Sequence, residues 1–432
     1  MLKLKVCIVG GGITGLTAGY ELVKKGHKVT IFEKEENYGG LVDTCTINGE
    51  KLERCYHHIF TSDNEIISLI HDLGLENELK WYEPSNSIYI NELIHPFTTP
   101  VDLLKFKELS LMDRVRMGLM VLRAGFIRNW QEMEHMTAKE WIIKNAGKTV
   151  YDKVWGPLLY SKFDIDAKDI SAVWIWNKFK LRGTTRGKNI GREMLGYMDG
   201  SFGKVLDEMV IKITEKGSSI KTNMPVSQII PLEDGGFKVC AGGVVQKFDA
   251  VIVTVFPGML YDLVPQIPAN YMEKVSKIKY KANICVILEL SKRISPWYWV
   301  TVAEEGFPFV LAIEHTNLIT DRRYKSSIMY LSRYIDTNNK LYEMPDDEII
   351  STFLTGAKKV FPDMDESLIK KTYVNKFTYS QPVISKRYSS VLPEFDTPIQ
   401  GLYLSCMAQI YPEDRGLNYA VRMGKTIADR VV

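Results

Sequence analysis

Several features that define other classes of protein are missing from this sequence of 432 residues. Its six cysteines include no C-x-x-C pair and no regular spacing, so they predict neither a structural zinc site nor a disulfide framework. Cys7 and Cys285 lie in apolar runs and are expected to be buried thiols, which favours a reducing compartment. No Ser/His/Asp order, metal-ligand spacing or Walker loop is present, so no metal is expected.

Charge of one sign and long apolar runs are also scarce. The net charge is +3 with basic residues spread along the chain, which argues against a nucleic-acid partner. No apolar run approaches the length of a spanning helix and no signal peptide is expected, so the predicted location is the cytoplasm or its membrane face. The length, with 45% hydrophobic and 25% charged residues, favours two globular domains.

The beginning of the chain has the pattern of a dinucleotide-binding βαβ unit. Residues 4–9 predict a buried strand, 14–25 a helix and 28–32 a second strand. The first strand is followed by a G-x-G-x-x-G motif, in which Gly10 permits the tight turn, Gly12 leaves room for a pyrophosphate and Gly15 permits close packing of the helix. Phosphates would lie at the positive end of that helix.

Glu33 ends the second predicted strand, eighteen residues after Gly15. Its carboxylate is placed to accept a hydrogen bond from a ribose 2′-hydroxyl and would repel a 2′-phosphate. An adenosine without that phosphate is therefore the expected ligand. NAD and FAD share this half of the site, so the βαβ unit alone leaves both open.

The Gly39-Gly40 pair resembles the second flavin signature of the amine oxidase, protoporphyrinogen oxidase and phytoene desaturase superfamily. That superfamily usually carries Arg after the pair, whereas this chain has Leu41, which argues against a close amine oxidase or protoporphyrinogen oxidase. The strand-like run 224–230 resembles the superfamily segment whose valine, here Val226, contacts adenine through its backbone.

The C-terminal segment resembles the last flavin motif of the same superfamily. A strand at 401–405 leads to the run Y-P-E-D-R-G-L-N-Y-A-V at 411–421, which enters a helix. The resemblance implies that the helix led by Gly416 points its N-terminus at the pyrimidine edge of the isoalloxazine, where its dipole stabilises negative charge on reduction. Ser405-Cys406 replaces the usual Gly-Asp or Gly-Glu, so the group that holds the ribityl chain stays open.

The resemblance implies noncovalently bound FAD in an extended form. The residues expected to contact it are Gly10, Gly12, Ile13, Thr14, Gly15, Glu33, Lys34, Gly39, Gly40, Leu41, Val226, Gly416, Leu417 and Asn418.

The expected fold class is α/β, with a discontinuous Rossmann-like FAD-binding domain and a second α+β substrate domain made of a mixed sheet and a helical lobe. The FAD-binding domain is predicted from residues 1–90, 190–265 and 396–432, and the substrate domain from 91–189 and 266–395. Strands are predicted at 281–290, 297–303, 308–314 and 326–333 in one sheet, covered by a helix at 346–360. A short hairpin is predicted at 85–95, with Asn91-Glu92 at its turn. The helical lobe at 101–182 is rich in tryptophan.

Two details resemble UDP-galactopyranose mutase within this superfamily. His58 opens a stretch, H-I-F-T, that brings a histidine near the flavin in the mutase, and Arg415 lies where a mutase-like arginine would face a substrate diphosphate. The alternatives are a core histidine bonded to backbone for His58 and a surface ion pair with Glu413 or Asp414 for Arg415.

The expected function is that of an FAD-dependent oxidoreductase, which takes a hydride from a C–H bond of a medium-sized small molecule enclosed between the domains. His58 and Arg415 are its candidate catalytic residues. A nonredox, mutase-like reaction of a sugar nucleotide is the alternative, and a flavin-binding scaffold without turnover is a third hypothesis. The sequence predicts no oligomeric state.

Two basic stretches could contact a partner. Residues 111–128 combine bulky apolar side chains with four arginines, which fits a helix in a membrane interface; the favoured interpretation is a buried helix whose arginines extend outward. The second stretch could face an acidic substrate, although a solvated face is favoured. It comprises Lys178, Lys180, Arg182, Arg186 and Lys188.

Overall fold

Strands and helices alternate along the chain in the computed structural model, which describes residues 3–184, 193–320 and 322–431. The strands are β1 (Lys5–Val9), β2 (Lys28–Phe32), β3 (Thr44–Ile47), β4 (Glu50–Glu53), β5 (Ile59–Phe60), β6 (Leu79–Tyr82), β7 (Asn86–Ile90), β8 (Leu93–Pro96), β9 (Leu195–Met198), β10 (Ser219–Lys221), β11 (Val226–Pro231), β12 (Phe237–Ala241), β13 (Val244–Phe248), β14 (Ala250–Val253), β15 (Tyr280–Leu290), β16 (Trp299–Val302), β17 (Leu311–Glu314), β18 (Ser327–Ile335), β19 (Ile369–Pro382) and β20 (Leu402–Leu404). The helices are α1 (Ile13–Lys24), α2 (Asn64–Asp72), α3 (Pro100–Lys105), α4 (Leu111–Ala124), α5 (Ala138–Ala146), α6 (Lys148–Val150), α7 (Gly156–Phe163), α8 (Ala172–Thr184), α9 (Gly203–Glu215), α10 (Leu260–Leu263), α11 (Ala269–Val275), α12 (Lys340–Glu343), α13 (Asp346–Val360) and α14 (Leu417–Arg430).

A five-stranded sheet in the order β10-β2-β1-β14-β20 forms the centre of the predicted nucleotide-binding part. All of its strand pairs are parallel. The central strand β1 is buried from Val6 to Val9, because both faces of the sheet are covered. Helices α1, α9 and α14 pack on one face, and the three-stranded sheet β11-β12-β13 packs on the other, so the middle strands are continuously apolar. The βαβ prediction is confirmed, with β2 at its predicted limits and β1 and α1 each shifted by about one residue.

Helix α14 packs against α1 in the same direction. Near the start of both helices, Thr14 Oγ1 donates to the Ala420 carbonyl at 3.2 Å, and near their ends Lys25 Nζ donates to the Ala428 carbonyl at 2.7 Å. Between these contacts, a Cβ on Gly424 would lie only 2.6 Å from Thr17 Cβ, so glycine permits the close approach. The N-termini of the two helices therefore lie at the same end of the pair.

The second large sheet has seven strands in the order β19-β15-β18-β17-β16-β7-β8. Only the β16–β7 pair is parallel, which makes the sheet mixed, as predicted, and α13 has its predicted limits. The predicted hairpin is formed by β7 and β8, with Asn91 and Glu92 at positive φ in the turn. Because β7 belongs to this sheet, the sheet begins before the predicted boundary at residue 90; the domain boundaries themselves stay a prediction.

Helices α3 to α8 form the predicted helical lobe around a buried aromatic core. Trp141, Trp155, Trp174 and Trp176 are all buried in it. Trp176 Nε1 donates to the Ala124 carbonyl at the end of α4 (2.8 Å), because an indole N–H that is buried requires an acceptor.

The favoured interpretation of residues 111–128 as a buried helix is wrong. Helix α4 buries Met117, Met120 and Ala124, while Leu111, Leu122 and Phe126 are 66%, 65% and 83% exposed. The helix therefore packs by one narrow face and presents large apolar side chains outward. Among the residues described, no helix has both the length and the apolar character that crossing a bilayer requires.

Candidate active site

The loop between β1 and α1 is shaped by two glycines with different constraints. Gly10 has φ +109° and its N–H donates to the Phe32 carbonyl at 2.9 Å, a left-handed conformation that favours glycine. A Cβ on Gly15 would lie 2.1 Å from the Gly10 carbonyl oxygen. The loop therefore turns sharply and α1 packs tightly beneath it, as the sequence predicts.

Gly12 differs from both, because a Cβ built on it meets no described atom within 4 Å. Gly12 precedes α1, and Ile13 and Thr14 form the first turn of that helix. The first N–H groups of a helix have no partner within it and form its positive end. The space above Gly12 is thus an open cradle that suits an anionic group.

Glu33 is buried at the edge of this cradle. Its Oε2 accepts from the Gly11 N–H at 2.7 Å and its Oε1 from the Glu35 N–H at 3.0 Å. These bonds fix the carboxylate beside the glycine loop. Lys34 points outward, where its Nζ lies 3.1 Å from Glu35, so a cofactor contact from Lys34 would involve its backbone.

The Gly39-Gly40 pair lies directly against the first glycine loop. The Gly39 N–H donates to the Gly11 carbonyl at 2.8 Å, and a Cβ on Gly40 would lie 3.3 Å from Gly12 Cα. Leu41 follows in the short turn Gly40–Val42 and is half-buried. The G-x-G-x-x-G motif and the Gly39-Gly40 pair, separate in sequence, therefore form one surface.

Val226 begins β11 close to Glu33. The Met224 N–H donates to the Glu33 carbonyl at 2.8 Å, which places Val226 two residues beyond a direct contact with the end of β2. This position is compatible with the predicted backbone contact to adenine, which stays a prediction.

The predicted C-terminal helix α14 begins where expected, with Gly416 as its N-cap and Leu417 buried in its first turn. Asn418 has an additional role that the sequence did not indicate. Its Oδ1 accepts from the Glu65 and Ile66 N–H groups at 2.8 and 3.3 Å, so it caps the N-terminus of α2. A flavin contact from Asn418 would use other atoms.

Arg415 reaches from this helix to the mixed sheet. Its Nε donates to Gln381 Oε1 at 2.9 Å, a terminal nitrogen donates to the Tyr334 hydroxyl, and the guanidinium lies 5.5 Å from the Tyr334 ring centroid. Glu413 pairs instead with Arg422 at 2.9 Å, and Asp414 pairs with a lysine. The surface ion pair considered for Arg415 is therefore wrong.

His57 and His58 have different surroundings. His57 Nδ1 lies 2.7 Å from the Cys55 carbonyl oxygen, and burial lowers the pKa of His57 to about 4. His58 Nδ1 lies 3.1 Å from the Tyr298 hydroxyl, and its ring centroid lies 5.8 Å from that of Trp299. His58 is thus the member of the pair that lies among aromatic side chains.

A row of aromatic contacts connects His58 with Arg415. Tyr56 packs edge-on against Trp299 at 5.3 Å between centroids, and its hydroxyl lies 3.4 Å from that of Tyr334. Since Trp299 also contacts His58 and Tyr334 bonds Arg415, the structure brings the two candidate catalytic residues into one cluster without direct contact.

Sequence reasoning missed a buried charged network beside this cluster. Asp414 Oδ1 accepts from Trp174 Nε1 at 2.9 Å and from Gln381 Nε2 at 3.2 Å, and its Oδ2 pairs with Lys178 and lies 3.9 Å from Lys162 Nζ. The signal was the position of Asp414 next to Arg415. Lys162 had no comparable signal in the sequence.

The favoured solvated face for the second basic stretch is wrong where it can be compared. Lys178 pairs with the buried Asp414, and Lys180 Nζ lies 4.8 Å from the Trp176 ring centroid. Arg186, Lys188 and the Arg182 side chain lie outside the described residues.

Comparison with protein families shows which class of protein the chain belongs to. A model of the family described as flavin-containing amine oxidoreductase matches residues 13–432. The chain belongs to that family. It is accordingly an FAD-dependent oxidoreductase, and the resemblance inferred from its motifs is confirmed.

Curated relatives of this chain include carotenoid desaturases. The 15-cis-phytoene desaturase of Synechococcus elongatus is 22% identical over 424 residues, which cover 90% of this chain and 84% of that protein. The zeta-carotene desaturase of Solanum lycopersicum is 26% identical over 231 residues, 47% of this chain and 39% of that protein. The matched region thus spans about two fifths of the zeta-carotene desaturase.

Solved structures share the fold of this chain. An oxidoreductase from Methanosarcina mazei has a TM-score of 0.76 at 15% identity and covers 98% of this chain and 100% of its own. Cyclohexylamine oxidase from Brevibacterium oxydans has a TM-score of 0.72 at 14% identity, with 100% and 99% covered. The predicted fold class is confirmed.

The residues present fit an extended FAD. The open space at Gly12 would accommodate the pyrophosphate at the positive end of α1, and the fixed Glu33 carboxylate would bind the adenosine ribose. The N-terminus of α14 lies at the same end as that of α1 and would receive the isoalloxazine. The individual contacts of the predicted site residues stay predictions.

Proposed function

We propose that this protein oxidises a C–H bond of a medium-sized organic molecule that lies between its FAD-binding residues and the mixed sheet. The observation that carries the proposal is the aromatic row from His58 to Arg415, which connects β16 and β18 with the start of α14. Bound FAD supplies the acceptor for the hydride and passes the electrons to oxygen or another acceptor.

The residues of the chain would contribute placement and electrostatics to this reaction. Aromatic side chains such as Trp299 and Tyr56 provide rigid apolar surface that orients a substrate and excludes water. The positive end of α14 favours negative charge where the flavin ring is expected. Arg415 is fixed by Gln381 and Tyr334 and would position a polar group of the substrate.

The comparisons favour redox chemistry over the mutase-like alternative. The relatives and structures reported above are desaturases, an oxidoreductase and an oxidase. The mutase-like alternative rests only on the resemblance of the segments around His58 and Arg415.

We also propose that the exposed apolar side chains of α4, with Phe126 beyond it, contact a membrane surface. Their exposure carries this proposal, because several large apolar side chains exposed along one surface helix mark an interaction site. The arginines of the same stretch would add attraction to anionic lipids.

Anaerobic mixing of the purified holoenzyme with candidate C–H donors tests the proposed reaction. Aliphatic amines and carotenoid polyenes are suitable first sets, since those chemistries occur in the names of its relatives. We expect one class to bleach the flavin absorbance without added reductant, and air to restore it. Conversion of a sugar nucleotide by prereduced protein, with no net flavin oxidation, would contradict the proposal.

A Gly12→Val variant provides the matched control. Gly12 has φ −71° and ψ 174° and a Cβ there meets no described atom within 4 Å, so the variant should fold while its side chain occupies the pyrophosphate cradle. We expect it to be colourless and inactive with every donor. Donor oxidation by this flavin-free variant would place the chemistry elsewhere.

A further inference from the structure

The side chains of Lys162, Lys178 and Arg415 are the cationic neighbours of one buried carboxylate, that of Asp414. Lys178 pairs with Asp414, Lys162 Nζ lies 3.9 Å from the same Oδ2, and Arg415 is the next residue in the chain. No other carboxylate forms an ion pair with these three cations among the residues that the structure describes. The cluster therefore has more positive than negative charge.

The Asp414 carboxylate carries one negative charge and therefore compensates only one of the three cations. Its oxygens accept hydrogen bonds from Trp174 Nε1, Gln381 Nε2 and Lys178 Nζ. Burial alone would raise the pKa of Asp414, but the charges of Lys178, Lys162 and Arg415 lower it below its usual range. Asp414 is thus ionised and fully bonded, and positive charge remains in a partly dehydrated site.

Lys162 is the member of this cluster with the weakest compensation. It lies near the end of α7, with its Nζ 5.1 Å from the ring centroids of both Trp174 and Tyr334 and 5.8 Å from that of Phe163. The side chain remains 21% exposed. Its ammonium is therefore enclosed by aromatic faces, while part of the side chain reaches the surface.

Lys162 and Arg415 share one aromatic ring. The Arg415 guanidinium carbon lies 5.5 Å and Lys162 Nζ 5.1 Å from the centroid of Tyr334. The guanidinium supplies a planar set of donors and the ammonium a compact charge, a combination that suits the oxygens of a carboxylate or phosphate.

We propose that Lys162 and Arg415 bind an anionic group of the substrate, a carboxylate or a phosphate, between the helical lobe and the start of α14. This inference rests on the proposed function only in placing the substrate there. The anion would supply the negative charge that the cluster lacks, and the positive end of α14 would act in the same direction. The substrate class is thereby narrowed to molecules with an acidic group.

The protonation of Lys162 makes the inference dependent on pH. Burial lowers the pKa of Lys162 to about 7, Lys178 and Arg415 act in the same direction, and Asp414 opposes them. Tyr334 is the other titratable group facing it. Since only the ammonium binds an anion strongly, binding should weaken as the pH rises above about 7, although a bound anion shifts that loss upward.

Titration of oxidised holoenzyme with inorganic phosphate, and separately with acetate, tests the inference without turnover. Because bound FAD would occupy the pyrophosphate cradle, the probe cannot bind there. A change in the flavin absorbance spectrum therefore reports binding near the flavin ring. We expect one probe to bind and Lys162→Met to weaken its binding roughly tenfold or more, since the variant loses a hydrogen bond between two charged groups. The probe that binds more tightly shows whether the site prefers a phosphate or a carboxylate.

Lys139→Met is the control, because Lys139 is exposed and its Nζ lies 5.5 Å from the Tyr151 ring on the same lobe. It should leave binding unchanged. A second measurement needs no variant: acylation of Lys162 in the native protein, followed by mass spectrometry, should slow when the bound probe is present, while Lys139 acylation should not.

Equal binding by native and Lys162→Met protein, or no protection of Lys162, would overturn the inference. Neither result affects the proposed function, which depends on substrate-dependent bleaching of the flavin. Conversely, anion binding at Lys162 in a protein whose flavin no donor reduces would support the subsite and contradict the proposed function.

Discussion

The contact between α1 and α14 gives a sharp prediction about how the site is assembled. Gly424 lies in the middle of α14, where a Cβ would be 2.6 Å from Thr17 Cβ and 2.7 Å from the Thr14 carbonyl oxygen. Both atoms belong to, or are bonded to, the backbone of α1, so no side-chain rotation relieves the contact. Gly424→Ala must therefore push the two helices apart.

The size of the effect follows from two opposing contributions. Carbon atoms pack best at about 3.5–4.0 Å, so the helices must separate by roughly 1 Å, and overpacking of this kind costs about 1–3 kcal/mol. Alanine in a helix interior returns about 1 kcal/mol relative to glycine. We expect Gly424→Ala to be neutral to destabilising by about 2 kcal/mol and to release FAD more readily, because it displaces one helix N-terminus from the other.

Gly118→Ala is the matched control, since Gly118 lies inside α4 and its Cβ would meet only Leu103 Cδ2, at 3.9 Å. It should gain about 1 kcal/mol, so the difference between the variants isolates the steric contribution. The assay is urea unfolding with saturating FAD and again without it, because bound cofactor adds to apparent stability. Equal stability gains and equal FAD retention in both variants would refute the argument.

Two further predictions concern acid stability and membrane contact. The pKa of His57 is lowered from 6.5 to about 4, so as the pH falls through this window the unfolded chain takes up a proton that the folded chain does not, and stability falls by up to about 3 kcal/mol. His57→Gln should flatten this part of a pH–stability profile, and an unchanged profile would argue against a buried neutral imidazole. Replacing Leu111, Leu122 and Phe126 with Ser should leave folding intact and weaken binding to anionic vesicles at least about tenfold. The same change at Val245, which is 58% exposed, should not, and a native protein that ignores vesicles would exclude the membrane contact.

The parts of the fold that the sequence predicted well depend on local chemistry. The β2 and α13 limits agree because apolar periodicity and flanking turn residues are properties of neighbouring positions. The hairpin turn at Asn91-Glu92 was predicted for the same reason, and both residues adopt positive φ. Where the residues that determine an element lie within one segment, the sequence alone was sufficient to predict it.

Strand β19 shows what local patterns cannot provide. It runs from Ile369 to Pro382 at the edge of the mixed sheet and pairs with β15. Its sequence is largely polar because an edge strand with one exposed face needs few apolar side chains. Only its long-range partner makes it a strand, so it was not predicted.

The charged cluster could not be predicted for a related reason. Lys162 and Lys178 lie in the helical lobe and Asp414 near the C-terminus, and only the packing of α7 and α8 against the last loop brings them together. Without that contact, Lys178 is one basic residue among several. Lys178 differs from the other basic residues only because it forms an ion pair with the buried Asp414, and no spacing in the sequence predicts that contact.

The same electrostatic preference recurs along the candidate site. The open cradle at Gly12 lies at the positive end of α1, the start of α14 adds a second positive end beside it, and Arg415 and Lys162 follow directly. These groups would favour, in turn, a pyrophosphate, the negative charge of a reduced flavin and an acidic group of the substrate. Glu33 lies before this series begins, where a neutral ribose hydroxyl is expected, and a carboxylate suits that neighbour. The parallel packing of α1 and α14 through Gly424 places the two helix N-termini at one end of the helix pair, so the geometry of these two helices brings the first two positive groups of the series together.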